Sequence, residues 1–513
     1  MRAHVVHLAA ECWPFAYTGG LGMAVSGLAR AQAATGLPTT VVLPFHRSVR
    51  DGGHDLELLA PLSVRVHVGA RTEVATVWRA RPTVGAPQMV FVEHGRFFYR
   101  PEIYGDGGHD FEDNAQRYAF FTMAALRALP KLVRSSAVLH AHDWHTALAP
   151  ALLRRVFGGH PYYDSVPTIL SVHNAAFQGR FPRTPRLGAG LRDAGPGSGR
   201  EDEQGSVNWL QAGLASADLV AAVSPTYARE LTSTLGGFGL DESFRGLGAR
   251  LVGIRNGIEA DVWNPASDPL IEARYSGQDL RGKATCKAAL QARYGLARGS
   301  TTPLMGMCAR MVEQKGLDLV LDLLRSTDPG QVVFLGRGEP RFEQALRGLA
   351  AARPERIAVQ VGFDVRLEHE LLAGLDVLLM PSLYEPCGLT QMRAQRYGAI
   401  PVARRVGGLA DTIDDGVTGF LFDEYRVEAL QEALRRALGR FAQPDAWVAH
   451  QRVAMQQAFG WEGPAARYAA LYRRALEMRP TKRRTTRPVR HRPRPAPALS
   501  GAPRRRVDSV QVP

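Results

Sequence analysis

A strand–loop–helix unit recurs along this chain in two separate series, and that alternation restricts the fold more than any other feature. In the first series, apolar runs lie at 4–10, 40–44, 138–142, 168–172, 219–223 and 251–254. Such runs read as buried strands. Between them, 64–68, 74–78 and 89–93 read as short strands of a mixed region. Val25, Leu28, Ala29 and Gln32 share the spacing of one helix face. Residues 110–130 read as a helix ended by Pro130, and 208–217 as another. The second series places strands at 303–308, 332–335, 357–361, 377–380, 400–403 and 419–422. Strands alternating with helices imply parallel sheets covered on both faces. The chain is therefore expected to be α/β, with two doubly wound, Rossmann-like domains facing each other across a cleft. The expected boundaries are 1–252 and 253–446, then a helical segment 447–478 that packs back across the junction, then a basic tail 479–513. The segment 179–206, rich in Gly, Pro and Arg, reads as a mobile loop. Gly-Gly-Leu at 19–21 and again at 407–409 is a weak sign of related architecture in the two halves.

At 513 residues the chain exceeds one ordinary core. The net charge of +14 is concentrated at the end: from Arg479 onward there are eleven Lys/Arg and one acid, Asp508. With many prolines and few large apolar residues, that tail is expected to be disordered. It reads as a solubilising extension or as a loose polyanion-binding segment. No nucleic-acid fold is legible in the body, so no specific nucleic-acid partner is expected. None of the four cysteines (Cys12, Cys286, Cys308, Cys387) forms a C-x-x-C pair, which fits a reducing cytosol and a cytoplasmic protein. The apolar stretch 5–10 is too short for a signal peptide. No run approaches a membrane span.

Four motifs carry chemistry. In Y-E-P-C-G-L-T-Q, residues 384–391, a strand-to-helix loop offers the Glu385 carboxylate to sugar hydroxyls and free backbone N–H groups to an anion. Alone it would more often be an ordinary tight turn. Thr18-Gly19-Gly20-Leu21-Gly22 lets backbone approach an anion, although it is neither G-x-G-x-x-G nor a P-loop. Arg310 and Lys315, five residues apart after a strand, suit a diphosphate, or are two solvated cations. His140-Ala-His-Asp-Trp-His145 has the look of a metal cluster, yet its histidines lie on a strand and read as core or supporting residues; no metal is expected. Asp143 and Trp144 put a carboxylate beside an aromatic face, and His173-Asn174 end the next strand.

Together these pieces resemble the bacterial glycogen synthases and plant starch synthases, retaining glucosyltransferases of the GT-B fold. The resemblance covers about residues 1–478 in order: Thr18-Gly-Gly-Leu21, His140 to His145, Ser171-Val-His-Asn174, Val223-Ser-Pro-Thr-Tyr-Ala228, Asn256-Gly-Ile258, Arg310 with Gln314-Lys-Gly316, Pro381 to Gln391, and Arg404 to Asp411. It implies transfer of glucose from ADP-glucose to the non-reducing end of an α-1,4-glucan, without a cofactor or metal. Arg310 and Lys315 would hold the diphosphate. Gly19 and Gly20 would approach phosphate or glucose by their backbone. Glu385 would bind glucose hydroxyls as a positioning group, with Cys387, Gly388 and Leu389 presenting backbone amides and Thr390 touching phosphate. Asn256 would join the donor site. His173 would lie near the glucose 6-hydroxyl, and Asp143, Trp144 and Asn174 on the acceptor side. Phe363 stands where the family usually has a Tyr that stacks on adenine.

Departures from the family pattern also appear. Tyr17 replaces a lysine, Met23 an aspartate, and Gln211 a frequent lysine. They keep two alternatives open. One is a UDP-glucose or other nucleotide-sugar transferase with a different acceptor. The other is a non-catalytic glucan-binding homologue.

Overall fold

The computed structural model describes residues 3–68, 71–134, 136–182 and 206–479. The expected tail from residue 480 on, and most of the expected loop at 179–206, lie outside the described residues.

Residues 4–253 build a nine-stranded sheet. Its order is Leu251–Gly253, Leu219–Ala222, Thr168–Val172, Ala137–His142, His4–Leu8, Thr39–Pro44, Gln88–Glu93, Arg71–Ala80, Leu56–Val68. The strands are parallel through Gln88–Glu93; the last two add antiparallel pairings at one edge. The second sheet has six parallel strands in the order Ile357–Val361, Gln331–Gly336, Leu304–Cys308, Val377–Met380, Ile400–Arg404, Phe420–Phe422. Central strands such as Thr39–Pro44 and Gln331–Gly336 are buried along their whole length, as parallel strands covered on both faces must be. This is the α/β architecture read from the two series of strands.

In each sheet the strand order reverses at one place. His4–Leu8 lies between Ala137–His142 and Thr39–Pro44, and Leu304–Cys308 between Gln331–Gly336 and Val377–Met380. Loops diverge at such switch points and leave a crevice at the carboxyl ends of the strands. The glycine loop, Asp143, Arg310 and Glu385 all follow strands that meet there.

Three local expectations change. The helix starting near 110 runs Asn114–Leu132 and passes through Pro130. Proline leaves the carbonyl of residue 126 without its helical donor. The hydroxyl of Tyr163 supplies a hydrogen bond to that carbonyl at 2.8 Å, and Pro130 is tolerated in the last turn. The strand expected at 64–68 is part of the longer Leu56–Val68, paired antiparallel with Arg71–Ala80. The helix that carries Val25, Leu28, Ala29 and Gln32 runs Gly20–Ala34, so part of the glycine motif at 18–22 already belongs to its first turn.

Within 447–478 the chain forms two helices. Pro444–Met455 buries Trp447 with the apolar cluster of the second sheet. Glu462–Glu477 returns to the first sheet and buries Tyr468, Leu471 and Tyr472 against Val5, Leu28, Val138 and Ile169. Arg479 ends the described chain in an ion pair with Asp218 at 2.6 Å.

Candidate active site

The second sheet positions the cationic side. After Leu304–Cys308 the chain turns through Arg310 into the short 3-10 turn Glu313–Lys315, and Gly316 caps the next helix with φ +73°. A Cβ at Gly316 would overlap the carbonyl oxygen of Pro381, so only glycine lets the Lys315 loop lie against the loop after Val377–Met380. That contact is stitched by Leu383 N donating to Gln314 O (2.9 Å) and Gln314 Nε2 donating to Tyr384 O (3.2 Å). Lys315 Nζ thereby reaches Glu385 Oε2 at 2.5 Å, and Ser382 Oγ donates to the same oxygen at 3.1 Å. Glu385 is buried and Lys315 nearly so. Arg310 is exposed, its guanidinium donating to Gln314 Oε1 at 3.2 Å.

Glu385 is also fixed through its backbone. Its carbonyl accepts from Gly408 N at 3.0 Å, and Gly407, at φ +43°, lies so close that a Cβ there would overlap the same carbonyl. Gln391 Nε2 donates to the carbonyls of Cys387 and Gly388, both at 3.0 Å, and closes the loop before the helix Thr390–Arg396. Cys387 is buried, and burial pushes its thiol up to about 12, so it stays protonated. Asn256 is buried; its backbone N–H donates to Val223 O at 3.3 Å. Phe363 projects into solvent after Ile357–Val361.

The first sheet positions the other side. Asp143 follows Ala137–His142 with φ +54°, a left-handed conformation that Asp adopts more readily than most residues. Its carboxylate accepts from the backbone N–H of His173 (2.6 Å) and of Asn174 (3.4 Å), tying two strand ends together. Burial still dominates and raises the Asp143 carboxyl to about 7. Trp144 is packed among Tyr118, Trp209 and Phe181, so its indole supports the cleft wall. Beside it opens a cavity of about 470 Å³ lined by Asp110, Phe177, Arg180 and Phe238 among others; no residue of the second half lines it. The two sides meet where the ring of Phe238 stands edge-on to Tyr384, with 4.8 Å between centroids. Ser224 Oγ donates to Pro386 O (2.7 Å), and Thr226 donates from both N and Oγ1 to the Asp411 carboxylate.

At the glycine loop, Gly19 and Gly20 are exposed with open space around them. The helix Gly20–Ala34 starts without a side-chain cap or an acid in its first turn, leaving its N–H groups to an anion. Tyr17 is exposed and Met23 half-buried. Gln211 follows Asn208, which caps its helix, and its side chain reaches Ser243 Oγ at 3.4 Å.

Several supporting residues were not singled out by sequence. Glu11 accepts from Thr18 N (2.6 Å), Thr18 Oγ1 (3.1 Å) and the Tyr104 hydroxyl, and so anchors the glycine loop. A lone acid between an apolar strand and a glycine loop was the available signal. Glu230 accepts from Gly407 N at 2.8 Å across the halves, with nothing local to reveal it. His7, His140 and His142 each bring a nitrogen within 4.8 Å of the others, a metal-like spacing. Both nitrogens of each ring, however, have hydrogen-bond partners within the chain.

Comparison with known proteins decides the family. Residues 4–246 match the starch synthase catalytic domain, and residues 292–449 match the glycosyl transferases group 1 family. A glycogen synthase from Anaeromyxobacter dehalogenans (strain 2CP-C) is 42% identical over 478 residues, covering 91% of this chain and 99% of that protein. One from Thermodesulfovibrio yellowstonii is 36% identical over 488 residues, covering 93% and 98%. The chain belongs to the glycogen synthase family. Among solved structures, the catalytic domain of starch synthase IV from Arabidopsis thaliana, bound to ADP and acarbose, superposes with a TM-score of 0.85 at 31% identity. It covers 93% of this chain and all of that one. Sucrose-phosphate synthase from Thermosynechococcus elongatus, at 18% identity and a TM-score of 0.60, shares the fold. As a glycogen synthase family member the chain is a glycosyltransferase of GT-B fold, as its motifs implied. Among the described residues no helix is long and apolar enough to cross a membrane.

Proposed function

We propose that this glycosyltransferase moves glucose from ADP-glucose to the 4-hydroxyl at the non-reducing end of an α-1,4-glucan, with retention at the anomeric carbon. The observation that carries the reading is the convergence of Arg310, Lys315 and Glu385 at the second switch point. Lys315 lies against the buried Glu385 carboxylate, and Arg310 is joined to the same loop through Gln314, which supports a site for a sugar diphosphate. The ADP bound to the Arabidopsis structure supports an adenine nucleotide.

In this reading Arg310 and Lys315 bind the diphosphate, helped by the close approach of the Gly19 and Gly20 backbone and by Thr390. Asn256 and the backbone of Cys387, Gly388 and Leu389 complete the donor pocket, and Phe363 offers a face to the adenine. Glu385 orients glucose hydroxyls, and His173 lies at the 6-hydroxyl. The glucan enters on the side of Asp143, Trp144 and Asn174, where the neighbouring cavity has room for sugar units. The bond from C1 to the phosphate oxygen breaks, and positive charge grows at C1. The acceptor oxygen attacks on the same face, and its proton passes to the departing phosphate. Fixed cations that meet charge as it develops supply most of the stabilisation, and orientation in a closed cleft supplies the rest. The free, buried state of Cys12, Cys286, Cys308 and Cys387 supports a reducing, cytoplasmic setting.

The test is transfer of radiolabelled glucose to glycogen from ADP-glucose and UDP-glucose, with linkage analysis. Incorporation from ADP-glucose into α-1,4 bonds, lost in Arg310→Ala and Glu385→Ala, is expected. Preference for UDP-glucose would favour a transferase with another nucleotide-sugar donor and a different acceptor, a reading motivated by Tyr17 and Phe363. Glucan binding with no nucleotide released from any donor would mean a non-catalytic homologue, motivated by Tyr17 and Met23.

A further inference from the structure

Beneath the cleft a chain of hydrogen bonds runs inward from His173. Its Nε2 meets His142 Nδ1 at 3.0 Å, and His142 Nε2 meets His7 Nδ1 at 3.0 Å. His7 Nε2 meets Gln32 Oε1 at 2.8 Å, and Gln32 Nε2 donates to the Tyr472 hydroxyl at 2.8 Å. His7, Gln32, His142 and Tyr472 are fully buried, so the series is shielded from bulk solvent. Burial also keeps the rings neutral: His7 is lowered to about 4, His173 to about 3, and His142 well below its usual value. A neutral imidazole has one N–H, so each ring that accepts at one nitrogen must donate at the other.

That rule gives the series a direction. Gln32 turns its carbonyl oxygen to His7, so His7 donates from Nε2 and accepts at Nδ1. His142 then donates from Nε2 and accepts at Nδ1, and His173 must donate from Nε2. The contact of Nε2 with His142 is the one hydrogen bond the His173 ring makes among the described residues, which leaves Nδ1 free, and the side chain is partly exposed at the carboxyl edge of the sheet. We propose that His7, anchored by Gln32, is a positioning residue for glucosyl transfer: through His142 it holds His173 as the Nε2–H tautomer, with Nδ1 presented to the cleft as a hydrogen-bond acceptor. The ligand group this fits is a donating hydroxyl. The proposal rests on the reading that places His173 at the glucose 6-hydroxyl, and it adds which partner role His173 plays and what imposes it.

The test uses the full chain labelled with ¹⁵N-histidine. The His173 ring signals, assigned by their loss in His173→Ala, report the tautomer directly. The wild type is expected to show an Nε2-protonated ring, and His7→Phe a mixture of both tautomers. His7→Phe should also lower kcat about tenfold while KM for ADP-glucose changes little, because a loosened group costs orientation. His7→Gln, which can still accept and donate, should recover part of the rate. Gln32→Leu cuts the same series one link further out and replaces His7→Phe if that variant does not fold. An Nδ1-protonated His173 in the wild type, or an unchanged tautomer and kcat in both His7→Phe and Gln32→Leu, would overturn the proposal. Full activity of His173→Ala would instead sink the placement of His173 itself.

Discussion

Lys315 and Glu385, seventy residues apart in sequence, face each other at 2.5 Å between the ammonium and a carboxylate oxygen. Each neutralises the other in a place shielded from water, and a diphosphate drawn to Lys315 competes with Glu385 for its charge. Lys315→Ala should lower kcat/KM about 10²- to 10³-fold, the size seen when one group stabilising developing charge is lost. It should also destabilise the fold by up to about 3 kcal/mol, because the carboxylate keeps only Ser382 as a partner. Adding Glu385→Gln to Lys315→Met should restore stability in denaturant titrations but not turnover. Recovery of turnover would mean the pair is only structural.

Asp143 gives the protein a pH signature. Its folded carboxyl titrates at about 7, above the ordinary 3.8, because burial disfavours the charge. The folded state therefore holds a proton that the unfolded chain has released, and stability falls as pH rises from about 4 to about 7. Asp143→Asn should flatten that part of the melting-temperature profile. A profile as steep as the wild type would assign the titration elsewhere.

Gly407 sits where a side chain would strike the carbonyl of Glu385. Gly407→Ala should displace the Glu385 loop and lower stability by more than about 1 kcal/mol, since positive φ adds strain to the overlap. Gly439→Ala, in an exposed helical position with open space, is the control expected to leave melting unchanged or raise it slightly. Equal effects of the two would deny Gly407 a special role.

Tyr17 is exposed at the mouth of the glycine loop, where the family pattern has a lysine. Restoring charge with Tyr17→Lys should lower KM for the nucleotide-sugar about two- to fivefold, the worth of one partly solvated ion pair. Stability should hardly change. A higher KM would mean the aromatic ring itself helps bind donor.

The alternation of apolar runs made both sheets legible, since a strand buried on both faces needs continuous apolar residues. The site was legible where its chemistry sits on one short segment, as with Glu385 and its neighbours. Residues that act across the chain were not. Tyr472 lies 332 positions from its partner His140, and nothing near either announces the contact. Pro130 misled for a related reason, because its compensation by Tyr163 is tertiary. Asp143 could be proposed as a carboxylate, but its raised pKa depends on burial that only packing reveals.

The helix Glu462–Glu477 finishes a sheet whose first strand begins at His4. During vectorial synthesis the amino-terminal half therefore emerges long before the element that covers it. Until then the hydroxyl of Tyr472 is missing, and Gln32 and His140 lack the partner they have in the finished fold. Maturation of the two halves is thus coupled: the earliest residues made wait for nearly the latest before they reach their final environment.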